Sequence, residues 1–416
     1  MRNSSFWLIL IAIMVLLDFY VFQALKAVVQ GVGPKTRLVI FIVYWFLSVL
    51  SIIILLLLPY VNQEHFPKGI RNVLFSAVIA LFFAKLIMGV FFFIDDIRRA
   101  IQWAAGKVFF RNTEGEQMQA GEGISRSLFL SWLGVVAGSG LFVSLIYGFS
   151  NKYNYHIKRV LLQFSNLPDA FRGLKIVQLS DIHSGSFNNK AAVQRGVEKV
   201  LQLQPDLILF TGDLVNDRAT EMEAYMDLFN QLKAPLGVYS ILGNHDYGDY
   251  VQWESRAQKI KNLDRLKAVH KELGWQLLLN ENVILEKEGE QLALLGVENW
   301  SAKARFPKYG NLRKAYTGTE NIPFKILMSH DPSHWDAEVR PNYPDIDLML
   351  SGHTHGMQFG VELPWFKWSP VQYVYKQWAG LYMQKQQKLY VNRGFGFIGY
   401  PGRVGILPEI TLLELS

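Results

Sequence analysis

Four long apolar segments near the start of this 416-residue chain constrain its fold more than any other feature. They cover residues 6–29, 38–61, 73–94 and 128–149. Each has about 20 residues or more, enough for a helix to cross a hydrocarbon core of about 30 Å. The first is longer than the apolar part of a signal peptide, and no small-residue cleavage site follows it. We therefore predict a four-helix transmembrane region over residues 1–150 and a second domain over residues 151–416.

The basic charge of the chain is concentrated in the apolar half. Residues 1–150 contain 12 Lys and Arg against 7 Asp and Glu, whereas the remainder contains 30 against 28. The isoelectric point near 9.2 therefore reflects the loops beside the membrane and does not indicate a nucleic-acid partner. The chain has no cysteine, which excludes disulfides, thiolate nucleophiles and zinc or iron–sulfur sites bound through cysteine.

The distribution of basic residues predicts the orientation in the cell (inner) membrane. Four spans place both termini on the same side, and Lys and Arg favour the cytoplasmic side. The first and third loops hold eight such residues and the opposite side holds six. We therefore expect residues 151–416 to lie on the extracytoplasmic side.

Two charges fall inside the predicted spans, Asp18 in the first and Lys85 in the third. Because intramembrane charges usually find a partner or a wet cavity, these two either pair to fix the packing or form a functional polar site. In the fourth span, Gly134 and Gly138 form a GxxxG pattern that permits close contact between helices.

The second domain alternates short apolar runs with helical patterns. Runs at 174–180, 207–211 and 237–242 read as buried strands. Helices are predicted at 188–203, 218–233 and 252–273, which indicates βαβ units and a mainly parallel sheet. Later strands have fewer helices between them, which predicts a second sheet packed on the first; they are expected at 292–297, 324–329, 346–351, 389–392 and 410–415.

Five of these strands end in residues that bind metals. The side chains concerned are Asp, Asn and His: Asp181 and His183, then Asp213, then Asn244 and His245, then His330, then His353 and His355. In open α/β sheets, ligands bind beyond the carboxyl ends of the strands. This ligand chemistry suits Mn, Fe, Zn or Co. The ligands are too many for one ion, so we expect two divalent metal ions, about 3.5–4 Å apart and bridged by a carboxylate.

In this order, the five blocks resemble the calcineurin-like metallophosphoesterase superfamily, and the N-terminal spans are similar to its YkuE-like membrane-associated branch. The resemblance implies a two-sheet α/β/β/α sandwich after the four transmembrane helices. It also implies that Asp213 bridges the metals and that His245 is not a ligand but protonates the leaving oxygen. The implied ligand sets are Asp181, His183 and His355 for one metal, and Asn244, His330 and His353 for the other.

Several residues outside these blocks are open to two interpretations. Arg393 and Arg403 flank a glycine-rich segment and either contact the substrate phosphate or face solvent. The aromatic residues of 364–378 either contact lipid, by resting on the membrane or lining a groove for lipid tails, or pack in a core. Asp246 and Asp331, which follow site histidines, either orient them or are merely solvated. The histidines outside the blocks are interpreted as structural or surface residues: His65, His156, His270 and His334.

The resemblance implies a membrane-anchored binuclear-metal phosphoesterase. We expect metal-activated hydroxide to attack a phosphate ester or pyrophosphate of an envelope or lipid-linked, amphipathic substrate, with membrane lipids as the other partners. One alternative is a UDP-2,3-diacylglucosamine pyrophosphohydrolase of lipid A synthesis, since other superfamily members cleave that compound. Another is a membrane sensor or transporter-like protein with a regulatory phosphoesterase domain.

Overall fold

The computed structural model describes residues 4–57, 68–109 and 126–416. It divides the chain into two compact units, Met1–Tyr147 and Gly148–Ser416, here called the membrane unit and the catalytic unit. The first four helices are α1 (Ser4–Val28), α2 (Pro34–Leu57), α3 (Lys68–Phe109) and α4 (Arg126–Asn151).

Each of these four helices contains a segment long and apolar enough to cross a membrane. Helix α3 has 42 residues and is much longer than the predicted span of 73–94, because it begins at Lys68 and continues to Phe109. Beyond the apolar run, Asp95 lies 2.8 Å from Arg98 and 3.2 Å from Arg99, and such pairs one turn apart stabilise a helix outside the apolar region. Helix α2 begins four residues before its predicted start, with Pro34 as its first residue, and residues 58–61 of that prediction lie outside the described residues.

The two intramembrane charges pair with each other. The Lys85 ammonium of α3 contacts the Asp18 carboxylate of α1 and lies 2.7 Å from the Ser48 hydroxyl of α2, and all three residues are buried. This arrangement favours the packing interpretation, because the ammonium joins three helices. On α4, a Cβ at Gly138 would come within 2.5 Å of the Ala84 carbonyl, so only glycine permits this contact with α3.

Fourteen strands of the catalytic unit form two six-stranded sheets and one two-stranded ribbon. The first sheet has the order β1-β14-β2-β3-β4-β5, the second has the order β12-β13-β9-β8-β7-β6, and β10 pairs with β11. The strands are β1 (His156–Leu162), β2 (Lys175–Leu179), β3 (Leu207–Phe210), β4 (Val238–Ser240), β5 (Gln276–Leu277), β6 (Glu281–Lys287), β7 (Glu290–Gly296), β8 (Lys325–Met328), β9 (Leu348–Ser351), β10 (Val361–Leu363), β11 (Phe366–Trp368), β12 (Gly380–Gln384), β13 (Gln387–Val391) and β14 (Glu409–Leu415).

Alternation along the strands builds three apolar layers. In β3, Leu207 and Leu209 face the core between the sheets, whereas Ile208 and Phe210 face the helices outside the first sheet. Side chains alternate in the same way along the strands of the second sheet. The segments around Leu312 and Trp335 cover the outer face of this sheet. The remaining helices are α5 (Lys190–Gln202), α6 (Met226–Phe229), α7 (Arg256–Glu272), α8 (Leu312–Tyr316) and α9 (Arg340–Asn342). The predicted α/β/β/α sandwich is therefore confirmed.

Two details of the sequence prediction are wrong. The last strand, β14, does not join the second sheet; it lies between β1 and β2 in the first, antiparallel to β2. Its residues are buried except Glu414, which fits a strand covered on both faces. The predicted helix at 218–233 is mainly a 3-10 segment, Ala219–Tyr225, followed by the short α6.

Candidate metal centre

The five strands that were predicted to deliver ligands all carry the candidate side chains just beyond their carboxyl ends. Strands β2, β3 and β4 are parallel neighbours in the first sheet, and β8 and β9 are parallel neighbours in the second. Because each ligand lies within four residues of a strand end, the two sheets bring side chains distant in sequence to a common place.

One group of candidate ligands consists of Asp181, His183 and His355, all buried. Nε2 of His355 lies 3.2 Å from Oδ1 of Asp181 and 3.1 Å from Nε2 of His183. The three ligand atoms lie within 4.8 Å of one another, close enough to share one ion.

A second group consists of Asp213, His330 and His353. Nδ1 of His353 lies 3.3 Å from Nε2 of His330 and 2.7 Å from Oδ1 of Asn244. The predicted ligand Asn244 therefore lies beside this group, with its amide oxygen directed at the same histidine.

Asp213 contacts both groups of candidate ligands. Its Oδ2 is 3.1 Å from Nε2 of His330 in the second group and 3.5 Å from Nε2 of His183 in the first. Its Oδ1 accepts a 2.8 Å hydrogen bond from the backbone N–H of His245, which fixes the orientation of the carboxylate.

The donor set fits divalent metal ions. Imidazole nitrogens of His183 and His355 approach each other inside a buried site, an arrangement that a cation between them would stabilise. Burial lowers the pKa of His183 and of His353, which favours the neutral imidazole that binds metals. Burial also acts to lower the pKa of His330, but the nearby Asp213 carboxylate outweighs this effect and raises the pKa to about 10. Metal binding at His330 would therefore release a proton.

The local backbone is strained at these residues. Five of the candidate ligands have positive φ angles between 48° and 71°, a region that residues with side chains seldom adopt; they are Asp181, His183, Asp213, His353 and His355. The neighbouring glycines allow close packing: a Cβ at Gly352 would lie 2.2 Å from Oδ2 of Asp181. Strain and close packing of this kind occur where a site is held in one geometry.

His245 lies at the edge of the two groups and is partly exposed. Its Nδ1 is 2.8 Å from the backbone carbonyl of Asn216, so Nδ1 carries the proton and Nε2 is the nitrogen available for proton transfer. The ring packs edge-on against His183, with 5.0 Å between centroids, and also contacts Tyr250. The carbonyl of Asn216 was not predicted, because a backbone contact leaves no residue-type signal.

Further side chains hold the ligands in place. The Asp246 carboxylate accepts hydrogen bonds from the backbone N–H groups of Asp213 (2.9 Å) and Gly243 (2.8 Å), so it orients a ligand loop rather than an imidazole. Asp331 lies 3.5 Å from Nε2 of His353, which agrees with the orienting interpretation. Sequence reasoning missed the Tyr375 hydroxyl, which lies 2.8 Å from the same nitrogen.

The structure gives Arg393 and Arg403 other partners than a phosphate. Arg393 is buried, pairs with Glu409 and lies 2.8 Å from Glu362. Arg403 is completely buried and donates hydrogen bonds of 2.7 Å and 2.5 Å to the backbone carbonyls of Arg393 and Gly396. Neither the solvent-facing interpretation nor an open phosphate contact fits these guanidinium groups; they hold the glycine-rich segment against the site.

Some aromatic residues of segment 364–378 are buried and others are exposed. Tyr375 and Trp378 are buried in a small core, whereas Trp365 is 81% exposed and Tyr373 is 77% exposed.

Among the described residues, the histidines outside the ligand blocks take no part in the two groups. His270 and His334 are buried beside Ser240 and Ser329, respectively. His156 is exposed, and His65 lies outside the described residues.

Comparison with known proteins identifies both units. The family described as "Calcineurin-like phosphoesterase" matches residues 174–357, and the one described as "Probable Calcineurin-like phosphoesterase, transmembrane domain" matches residues 1–152. The chain is 30% identical to the uncharacterized metallophosphoesterase YkuE of Bacillus subtilis over 70% of this chain and 98% of that protein.

Two further relatives carry more specific names. A transmembrane protein with metallophosphoesterase domain from Danio rerio is 30% identical over 62% of this chain but only 56% of its own length. The UDP-2,3-diacylglucosamine pyrophosphatase LpxG of Chlamydia trachomatis is 28% identical over 61% of this chain and 88% of its own. Together with the Asp and His groups, these matches show that the chain belongs to the calcineurin-like phosphoesterase family, as a membrane protein and a metal-dependent phosphoric ester hydrolase.

Proposed function

We propose that the catalytic unit hydrolyses a phosphate ester or pyrophosphate of a lipid-linked envelope substrate at a centre of two divalent metal ions. Asp181, His183 and His355 would hold one ion, Asn244, His330 and His353 the other, and Asp213 would bridge them. The observation that carries this proposal is the position of Asp213, whose Oδ2 lies 3.1 Å and 3.5 Å from imidazole nitrogens of the two groups. The ligand types suit Mn, Fe, Zn or Co.

The bound metals would supply an activated water and bind the phosphate oxygens. The chain itself supplies the proton for the leaving group. His245 is suited to this task, because the Asn216 carbonyl, 2.8 Å from Nδ1, fixes the ring and keeps Nε2 available. Tyr250, whose ring centroid is 4.5 Å from that of His245, limits the movement of the imidazole.

Two features support an amphipathic substrate. The four apolar helices keep the enzyme in the membrane, where lipid-linked compounds accumulate. In the catalytic unit, Trp365 and Tyr373 are largely exposed, and Trp and Tyr side chains favour the interface between lipid and water. We further propose that this membrane is the cell (inner) membrane and that the catalytic unit lies on its extracytoplasmic side, on the basis of the basic residues in loops one and three.

A narrower candidate is the cleavage of UDP-2,3-diacylglucosamine, supported by the likeness to LpxG. That nucleotide is cytoplasmic, so this candidate requires the opposite orientation of the catalytic unit. A purely regulatory phosphoesterase domain is less well supported, because a binding module without activity has no need of a full set of ligands.

The test uses the full chain in lipid vesicles with Mn²⁺. We expect hydrolysis of a lipid-linked pyrophosphate to exceed that of its water-soluble analogue. The double variant Trp365→Ser/Tyr373→Ser should lose this preference, whereas Ile260→Ser, which alters an exposed apolar residue of α7, should keep it. Equal rates on the two substrates in the wild type would contradict the lipid-linked assignment, and no hydrolysis of either would contradict the cleavage of a pyrophosphate.

A further inference from the structure

A short basic loop lies beside the second group of ligands. It covers residues 301–310, between β7 and α8. Its Phe306 ring meets the His353 ring edge-on, with 4.8 Å between centroids. The loop is anchored at both ends, since the N–H of Ala302 donates to the Ser333 hydroxyl (2.9 Å) and the N–H of Gly310 donates to the Asn299 carbonyl (3.0 Å).

The loop carries three cations and no acidic residue: Lys303, Arg305 and Lys308. Lys308 lies over the Trp300 ring at 4.3 Å, and Trp300 stacks on His334. Lys303 lies instead over the ring of Tyr375, at 5.3 Å. Within the described part of the chain, neither Lys303 nor Arg305 forms an ion pair with a carboxylate.

Arg305 lies beside the second group of ligands. Its guanidinium lies over the Phe306 ring, 4.9 Å from the centroid, and that ring meets His353 edge-on. The Tyr375 ring lies under Lys303, and its hydroxyl is 2.8 Å from Nε2 of the same histidine. Both cations therefore lie at the rim of the second group.

We infer that Arg305, assisted by Lys303, binds a second anionic group of the substrate, beyond the phosphate attacked at the metal centre. This inference rests on the proposed function and narrows its substrate class to pyrophosphate-linked compounds, rather than simple phosphodiesters. A guanidinium without a carboxylate partner is well suited to a second phosphate, which it can bind through two parallel hydrogen bonds. Arg305, which lies outside the glycine-rich segment, thus takes the phosphate-binding role that the sequence suggested for Arg393 and Arg403.

The experiment compares two anions by isothermal titration calorimetry on the full-length, Mn²⁺-loaded protein in detergent. Inorganic phosphate presents one phosphate group, and methylenediphosphonate presents two without being hydrolysed. We expect Arg305→Gln to lower the ratio of diphosphonate affinity to phosphate affinity about tenfold, the effect of losing one charge-assisted contact. Lys308→Gln, a cation of the same loop directed at Trp300, should leave the ratio unchanged.

An unchanged ratio in Arg305→Gln, or an equal fall in Lys308→Gln, would overturn the inference. Metal content measured on each variant excludes loss of the centre as the cause of an altered ratio. Hydrolysis of bis(p-nitrophenyl) phosphate by the wild type tests the phosphoesterase separately. An active wild type with an unchanged ratio in Arg305→Gln would leave the proposed function standing and remove only the role of Arg305.

Discussion

The Tyr375 hydroxyl lies 2.8 Å from Nε2 of His353 and donates a 3.1 Å hydrogen bond to Oδ2 of Asp331. Because Nε2 is engaged on this side, Nδ1 of His353 is the nitrogen that faces Asn244 and His330. A tyrosine 22 residues further along the chain therefore determines which nitrogen of the histidine is presented to a metal.

Replacing Tyr375 with Phe should weaken metal binding at the second group. Loss of a contact that orients a ligand typically costs about 10–100-fold in metal affinity. Titration of the metal-free protein with Mn²⁺ should show this loss at one of the two sites. Tyr316→Phe is the matched control, since its hydroxyl also donates to a carboxylate, Asp345, and neither residue belongs to the two groups of candidate ligands. Equal affinities in wild type and Tyr375→Phe would contradict the orienting role.

Replacing His245 with Ala should lower turnover while the metal content stays near that of the wild type. A positioned general acid contributes about 10²–10⁴-fold. The loss should be smaller for a substrate with a nitrophenol leaving group, which needs little protonation. Rates on both kinds of ester, measured with metal analysis, check this prediction. Loss of one ion in the variant would instead make His245 a ligand.

The buried His270 predicts a dependence of stability on pH. Burial lowers its pKa from 6.5 to about 3, so the folded state holds it neutral between Phe210 and Trp275. The stabilisation is complete above pH 6.5 and is lost as the pH falls from 6.5 towards 3, by about tenfold in the folding equilibrium per pH unit. Thermal unfolding between pH 7 and pH 5 should therefore depend less on pH in His270→Gln. Parallel curves for the two proteins would argue against this effect.

Reporter fusions at the C-terminus test the orientation of the catalytic unit. Loops one and three hold eight basic residues and the opposite side holds six. This difference predicts an active alkaline phosphatase fusion and a dark GFP fusion. Lys152, Lys158 and Arg159 favour the opposite orientation, but long domains can cross despite their charge. A bright GFP fusion would reverse the topology and make UDP-2,3-diacylglucosamine the leading substrate.

The clustering of the candidate ligands could be predicted from the sequence because each lies within four residues of the end of a strand, and parallel strands present their ends together. Tyr375 and Arg305 could not, since they reach the site from irregular segments with no repeating pattern. The partner of Arg393 could not be predicted for a related reason. Its partner Glu409 is 16 residues away on β14, a strand whose place inside the first sheet is determined by tertiary packing rather than by its own pattern.

The most direct test is the metal content of the full-length protein with and without the Asp213 carboxylate. The account predicts two divalent ions per wild-type chain, and at most one ion with no detectable phosphoesterase activity in Asp213→Ala, because two close cations lose the charge between them. Asp227→Ala, which removes an exposed carboxylate paired with Lys190, should retain both ions and full turnover. Two ions and full activity in Asp213→Ala, or a single ion in the active wild type, would contradict the account.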